Sequence, residues 1–110
     1  LAAGALPQYA RVPQQPMAIL DRLLPAWRHS DPDVRAAAVR ELDADSRDIV
    51  ATLARTDPDA RVRREAIRRL DDPDVLLAIG GDDASEDLRG LALARASELL
   101  VQHAVAAAPV

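Results

Sequence analysis

The fold of this chain is decided by a nine-residue phrase that occurs twice, as Val-Arg-Ala-Ala-Ala-Val-Arg-Glu-Leu at residues 34–42 and as Val-Arg-Arg-Glu-Ala-Ile-Arg-Arg-Leu at residues 62–70. The apolar positions of both copies fall on one face of a helix. A weaker third copy begins at Leu88 with Leu-Arg-Gly-Leu-Ala-Leu. A phrase that returns at such a short interval predicts a stack of similar helical units.

A tight acidic turn opens each of the first two copies, Asp-Pro-Asp at residues 31–33 and at residues 57–59. Aspartate is a preferred helix N-cap, and proline suits the first helical turn. Apolar triplets recur as well, because adding 26 to positions 49, 50 and 53 gives Val75, Leu76 and Ile79. The chain therefore divides into units of two helices each. These three units cover about residues 17–43, 46–70 and 73–105.

The apolar spacing and the caps predict six helices, at about residues 17–29, 33–43, 46–55, 59–70, 73–79 and 85–105. Pro25 should kink the first helix or start it again. The pair Gly80-Gly81 should end the fifth helix, because glycine tolerates the left-handed C-cap conformation. Residues 1–16 hold three prolines and a single charged residue, which predicts a disordered arm or linker. Residues 106–110 would form a short tail.

The Asp-Pro-Asp turn followed by Val-Arg-x-x-Ala-x-x-x-Leu resembles the second helix of a HEAT-like repeat. The resemblance covers about residues 17–105 and implies an all-α fold, a short right-handed α-solenoid of three HEAT-like helical hairpins. The units are shorter than most HEAT repeats. The third unit departs from the pattern, because residues 83–87 replace the Asp-Pro opening.

Residues 23–32 and 69–76 also resemble the N-terminal region of certain bacterial proteins that carry an uncharacterised conserved domain further along the chain. This second resemblance implies that the 110 residues are one piece of a longer protein. It implies no activity.

The composition narrows the classes of function. The chain carries a net charge of −4 with a pI of about 5.0, and only 2% of its residues are aromatic. It contains no cysteine, so it has neither a disulfide frame nor a thiolate metal site. No stretch approaches the ~18 apolar residues of a membrane span. We expect no membrane association and, because no export signal is seen, a cytoplasmic location.

One arginine occupies the same position in all three copies of the phrase. In stacked hairpins, an arginine at this position would reach a capping aspartate of its own or a neighbouring unit, and such pairs would orient the units. We favour this structural role over a role in binding. The predicted Arg/Asp ladder comprises Arg35, Arg63 and Arg89 with Asp33, Asp59 and Asp87.

The outer face of the second helices is more open to function. In a solenoid, these faces line up as the concave surface, which is the usual binding surface. On residues 59–70 the face carries three arginines and one glutamate, and the first and third copies add an arginine and a leucine. The candidate binding face comprises Arg40, Arg61, Arg64, Glu65, Arg68 and Leu91.

Three interpretations of this face stay open. It is a solvated helix face, a groove for an acidic peptide or helix, or a site for a phosphate backbone that uses Arg40, Arg61, Arg64 and Arg68. The acidic net charge and the shortage of aromatic residues weigh against nucleic acid. The leading hypothesis is a non-enzymatic protein–protein interaction or scaffold module. Its partner would be an unknown protein or the rest of its own longer chain.

The last predicted helix is apolar on nearly every side. Leu88, Ala92, Leu99 and Val101 should face the stack, whereas Leu91, Ala94 and Val105 should point elsewhere. A helix that is apolar all round is normally buried. We therefore predict self-association through this helix, or its coverage by the rest of a longer chain.

A search for catalytic groups finds no defensible constellation. His29 and His103 lie far apart and show no metal-ligand spacing. The acidic runs near residues 43–48 and 82–87 lack the glycine and glutamate of a calcium loop. No serine is placed with a histidine and an aspartate at a recognisable spacing. We expect no enzymatic activity, no cofactor and no metal site.

Overall fold

The computed structural model describes residues 24–107, and this part of the chain is all-helical. Its α-helices are α1 (Pro32–Glu41), α2 (Arg47–Thr56), α3 (Ala60–Arg69), α4 (Pro73–Asp82) and α5 (Glu86–Ala107). Short 3-10 turns occupy Ala26–Arg28 and Ala44–Ser46. No β-strand occurs between residues 24 and 107, which confirms the predicted all-α class.

Aspartate side chains set the starts of three helices. Asp31, Asp59 and Asp72 each accept a hydrogen bond from the backbone N–H two residues later, at 2.8–3.0 Å. Each bond satisfies an amide that the first turn of a helix leaves without an internal partner. Proline occupies the first turn of α1 and α4, where its missing N–H costs nothing.

The helices pack in two rows. Helices α1, α3 and α5 lie side by side, while α2 packs on α3 and α4 packs on α5. The turn at Ala26–Arg28 packs against α1. The core runs continuously through both rows, and its fully buried large side chains are Val39, Val62, Ile67, Leu76 and Leu88.

Helix α4 runs through both glycines, so the predicted end of this helix at Gly80-Gly81 is wrong. Neither glycine has a positive φ, and the C-cap is Asp83 in an extended conformation. Gly80 serves close packing instead. A Cβ at this position would lie 2.4 Å from Leu93 Cδ2, so the missing side chain makes room for α5. Tertiary packing outweighs the local C-cap preference of glycine here.

Several predicted elements lie at or beyond the ends of residues 24–107, the part of the chain that the structure describes. Residues 1–16, predicted as an arm, lie outside it, as do residues 17–23 of the predicted first helix. Residues 24–29 contain a single 3-10 turn after Pro25 and no α-helix. At the other end, α5 continues to Ala107, and residues 108–110 of the predicted tail lie outside the described range.

Helix α5 packs on the stack through the predicted residues Leu88, Ala92 and Leu99, all of which are buried. Val101 was expected among them, but it is 62% exposed, so that expectation is wrong. The reason is its position around the helix. With 3.6 residues per turn, Val101 lies roughly 200° from buried Leu99, on the side of α5 that faces away from the stack.

Candidate functional site

The arginine ladder, defined as Arg35, Arg63 and Arg89, makes one hydrogen bond that is the same in all three units. In each case Nη1 donates to the backbone carbonyl six residues earlier. The acceptors are the carbonyl oxygens of His29 at 2.9 Å, Asp57 at 2.9 Å and Asp83 at 2.7 Å. The three arginines therefore hold equivalent positions relative to the turns that precede their helices.

A second set of bonds joins one unit to the next. Arg35 donates Nε and Nη2 to the two carboxylate oxygens of Asp57, at 2.9 and 3.0 Å. Arg63 donates the same two nitrogens to Asp83, at 3.0 and 3.4 Å. The arginine side chains are 13% exposed, and those of the aspartates 3% and 4%. These are buried bidentate pairs, the geometry in which guanidinium–carboxylate bonds are strongest. The bond to Asp57 raises the pKa of Arg35.

The predicted acceptors of the ladder, Asp33, Asp59 and Asp87, are therefore wrong. Asp59 caps α3, and exposed Asp33 and Asp87 lie in the first turns of α1 and α5. The acceptors lie two residues before the cap, in the turn that faces the preceding unit. Sequence reasoning missed them, although Asp57 and Asp83 are separated by the 26-residue interval of the repeat (83 − 57 = 26).

His29 occupies the acceptor position in the first unit. Its Nδ1 accepts the backbone N–H of Asp31 at 2.9 Å. In the same way, Oδ1 of Asp57 accepts from Asp59 at 2.9 Å, and Oδ1 of Asp83 accepts from Ser85 at 2.8 Å. The first unit thus carries an imidazole where the next two units carry a carboxylate.

Two further arginines, which sequence reasoning also missed, bind helix ends. Arg69 donates to the carbonyl oxygens of Val39, at 3.1 Å, and of Arg40 and Leu42 at the end of α1. Arg95 donates to the carbonyl oxygen of Leu70 at the end of α3. The last carbonyls of a helix lack internal partners and carry partial negative charge, so a cation there is stabilising. The 26-residue interval between these arginines (95 − 69 = 26) was the available signal.

The candidate binding face is centred on Glu65. Its Oε1 accepts from Arg40 of α1 at 3.1 Å and lies 3.5 Å from Nη1 of Arg68. The glutamate side chain is only 17% exposed, whereas both arginines are more than half exposed. The hydrogen bond from Arg40 lowers the pKa of Glu65. Half-buried Arg64 is a third cation near this carboxylate, and its charge also lowers the pKa of Glu65.

Arg61 lies at the other end of this face and is neutralised locally. It donates to Asp33 of the neighbouring helix at 2.8 Å and to Asp59 at 3.0 Å. The hydrogen bond from Arg61 lowers the pKa of Asp59 to about 2. Two carboxylates around one guanidinium group make this end acidic. The predicted arginine patch therefore divides into a basic end near Glu65 and an acidic end at Arg61.

Leu91 belongs to the third unit and is half-buried against the core. It corresponds to Glu65 by the 26-residue interval (91 − 65 = 26). Five of the six predicted face residues therefore lie on the neighbouring helices α1 and α3. The sixth, Leu91, lies on α5, which packs against α3.

The two histidines are far apart in the structure as well. His29 lies in the turn before α1, whereas exposed His103, on α5, borders an open hollow of about 530 Å³ together with Arg47 and Asp71. Between residues 24 and 107, no group of three or more histidine or acidic side chains is placed to hold a metal ion. In the same part of the chain, no helix combines the length and apolar character needed to cross a membrane.

Comparison with known proteins finds no family model, no curated protein and no solved structure that matches this chain. Function must therefore be inferred from the residues themselves. The best-defined feature outside the core is the cationic cluster around Glu65, which spans two neighbouring helices.

Proposed function

We propose that this chain is a protein–protein interaction module, a short solenoid of HEAT-like hairpins that binds an acidic segment of a partner across α1 and α3. Helices α1, α3 and α5 lie in one row, and equivalent arginines connect consecutive turns. This arrangement supports a stacked-hairpin architecture, in which binding surfaces form along one row of helices.

The observation that carries the proposal is the position of Glu65 between Arg40 and Arg68. The Glu65 carboxylate, whose side chain is 17% exposed, binds the guanidinium groups of both arginines, and both arginine side chains remain largely exposed. Their remaining N–H groups are available to an acceptor from outside. An arginine pre-oriented in this way loses less conformational freedom when it binds a carboxylate. The cluster is therefore suited to glutamate or aspartate side chains of a partner.

A protein partner fits this face better than a nucleic acid does. Asp33 and Asp59 are acidic residues at the other end of the same face, and they already neutralise Arg61. A continuous phosphate backbone that crossed the face would meet these carboxylates. A partner segment with acidic residues at one end would avoid them.

The test uses a fluorescent helical peptide with glutamates on one face, titrated with the full chain and followed by anisotropy. The double variant Arg64→Glu/Arg68→Glu should weaken binding at least ~10-fold, because two attractive contacts of up to ~1 kcal/mol each become repulsive. The matched control is Arg47→Glu/Arg55→Glu, which reverses two exposed arginines on α2. Equal binding by both double variants contradicts the choice of face.

A duplex DNA of similar charge separates the partner classes. Phosphate binding falls steeply with added salt, because condensed counterions are released on binding. We expect the peptide to bind more tightly than the duplex at physiological salt. Tighter binding of the duplex, lost in Arg64→Glu/Arg68→Glu, would replace the proposed protein partner with a nucleic acid.

A further inference from the structure

The arginine ladder is incomplete at its last member. Arg35 and Arg63 each use two edges of the guanidinium group, Nη1 for a carbonyl and the Nε/Nη2 edge for the aspartate of the next unit. Arg89 donates Nη1 to the Asp83 carbonyl like the others. Within residues 24–107, no carboxylate occupies its Nε/Nη2 edge. That edge is the one that receives a following unit elsewhere in the chain.

The apolar surroundings of Arg89 are incomplete in the same way. Leu93 corresponds to Val39 and Ile67 in the repeated phrase (93 − 67 = 26; 67 − 39 = 28). Those two side chains are fully buried, but Leu93 is 44% exposed. On α4, exposed Leu77 corresponds to Ala51 (77 − 51 = 26), which lines the hollow between α2 and α4 together with Val75. Both leucines lie where earlier units meet their successors.

We propose that this end face, defined as Leu77, Arg89 and Leu93, docks a helical hairpin of the same repeat type supplied by a partner protein. The bidentate Nε/Nη2 edge of an arginine is matched by a carboxylate. In the two complete junctions, that carboxylate lies two residues before an N-cap and also accepts the N–H of the cap residue. Residues 57–62 and 83–88 therefore define the partner's signature, Asp-x-[Asp/Ser]-x-x-[Val/Leu].

The occupant is not a second copy of this chain stacked in the same direction. Such a copy would present its first unit to Arg89, and the acceptor position of that unit is His29. An imidazole lacks the two anionic oxygens that Asp57 and Asp83 offer. The charge at the two ends therefore disfavours head-to-tail assembly of identical chains and favours a partner that carries aspartate.

This mismatch provides the test. The substitution His29→Asp gives the first unit of the full chain the carboxylate that we expect in the partner, so that Arg89 of another copy can bind it. Sedimentation velocity over a concentration series should show head-to-tail association of His29→Asp, with a dissociation constant at least about ten-fold below that of the wild type. His29→Asn, which adds no charge, should behave like the wild type. Adding Leu93→Glu, at an exposed position, should return the dissociation constant to that of the wild type, and circular dichroism should show each variant folded.

Three results would overturn the proposal. The first is a His29→Asp variant that associates no more than the wild type, and the second is association that Leu93→Glu leaves intact. The third is a wild-type chain that itself associates in a manner lost with Leu93→Glu, because the end face would then bind a second copy. The residues tested lie away from Arg64 and Arg68, so these results are independent of the proposed acidic-peptide face.

Discussion

Replacing Asp57 with asparagine should destabilise the protein strongly, because Asp57 is the acceptor of a buried ion pair. Its side chain is 3% exposed and receives two N–H groups of Arg35 at 2.9 and 3.0 Å. Asparagine has nearly the same shape but no charge, and its amide would place a donor or a neutral oxygen against each guanidinium N–H. The Arg35 cation would remain, mostly buried, without its counter-charge.

The magnitude follows from this geometry. Removing one partner of a buried ion pair typically costs about 3–5 kcal/mol. Arg35 retains its bonds to the carbonyl oxygens of His29 and Ser30 and some contact with water. We therefore expect the low end, about 3 kcal/mol in the free energy of unfolding. For a domain of this size, that loss corresponds to about 12–24 °C in Tm.

Urea unfolding followed by circular dichroism at one protein concentration measures the effect. The matched control is Asp71→Asn, because Asp71 pairs with Arg47 at 3.0 Å with both side chains at least half exposed. An exposed pair of this kind contributes under ~1 kcal/mol. If Asp57→Asn proves no less stable than Asp71→Asn, the buried pair does not contribute as its geometry indicates.

Three further predictions concern separate parts of the molecule. The first concerns Asp59, whose pKa Arg61 lowers from 3.8 to about 2. The stabilisation from this pair is present above the ordinary pKa and is lost as the pH falls towards 2, so Asp59→Asn should flatten the profile of Tm against pH in that range. Gly80→Ala should lower the free energy of unfolding, measured in urea, by about 1 kcal/mol, because the new Cβ meets Leu93. In a Leu93→Ala background, the same substitution should raise the free energy of unfolding by up to ~1 kcal/mol, because alanine has the higher helix propensity. Val105→Glu, at an exposed position of α5, should abolish the concentration-dependent association predicted for that helix in light scattering; association that persists would place the contact elsewhere.

The helices could be predicted from the sequence because the residues that cap a helix and form its apolar face are close together in the chain. A polar capping residue with a following apolar stripe predicted α1, α2 and α3 to within two residues at each end. The 26-residue interval predicted which helices correspond. The end of α4 was predicted wrongly at Gly80-Gly81, because Gly80 makes room for Leu93 of another helix, a contact that the local sequence does not show. Helix α4 continues through Gly80, where packing of Leu93 decides the outcome.

The partners of the ladder were predicted wrongly because the two Asp-Pro-Asp turns are not in the same register. Measured from the repeated phrase, the N-caps are Asp31 and Asp59, so the first aspartate of one turn corresponds to the second of the other. Aligning the turns by identity alone hides Asp57 as the acceptor. Arg69 was missed for a different reason, because its acceptors are backbone carbonyls and side-chain patterns do not reveal them.

The most direct test of the ladder and of its open end is nuclear magnetic resonance of the arginine Nε–H groups near neutral pH. A buried, hydrogen-bonded N–H exchanges slowly with water, whereas an N–H without a partner exchanges fast. The structure predicts slow exchange for Arg35 and Arg63, whose Nε–H groups bind Asp57 and Asp83, and fast exchange for Arg89. Equal protection of all three, or fast exchange at Arg35 and Arg63, would contradict a ladder that joins three units and stays open at the third.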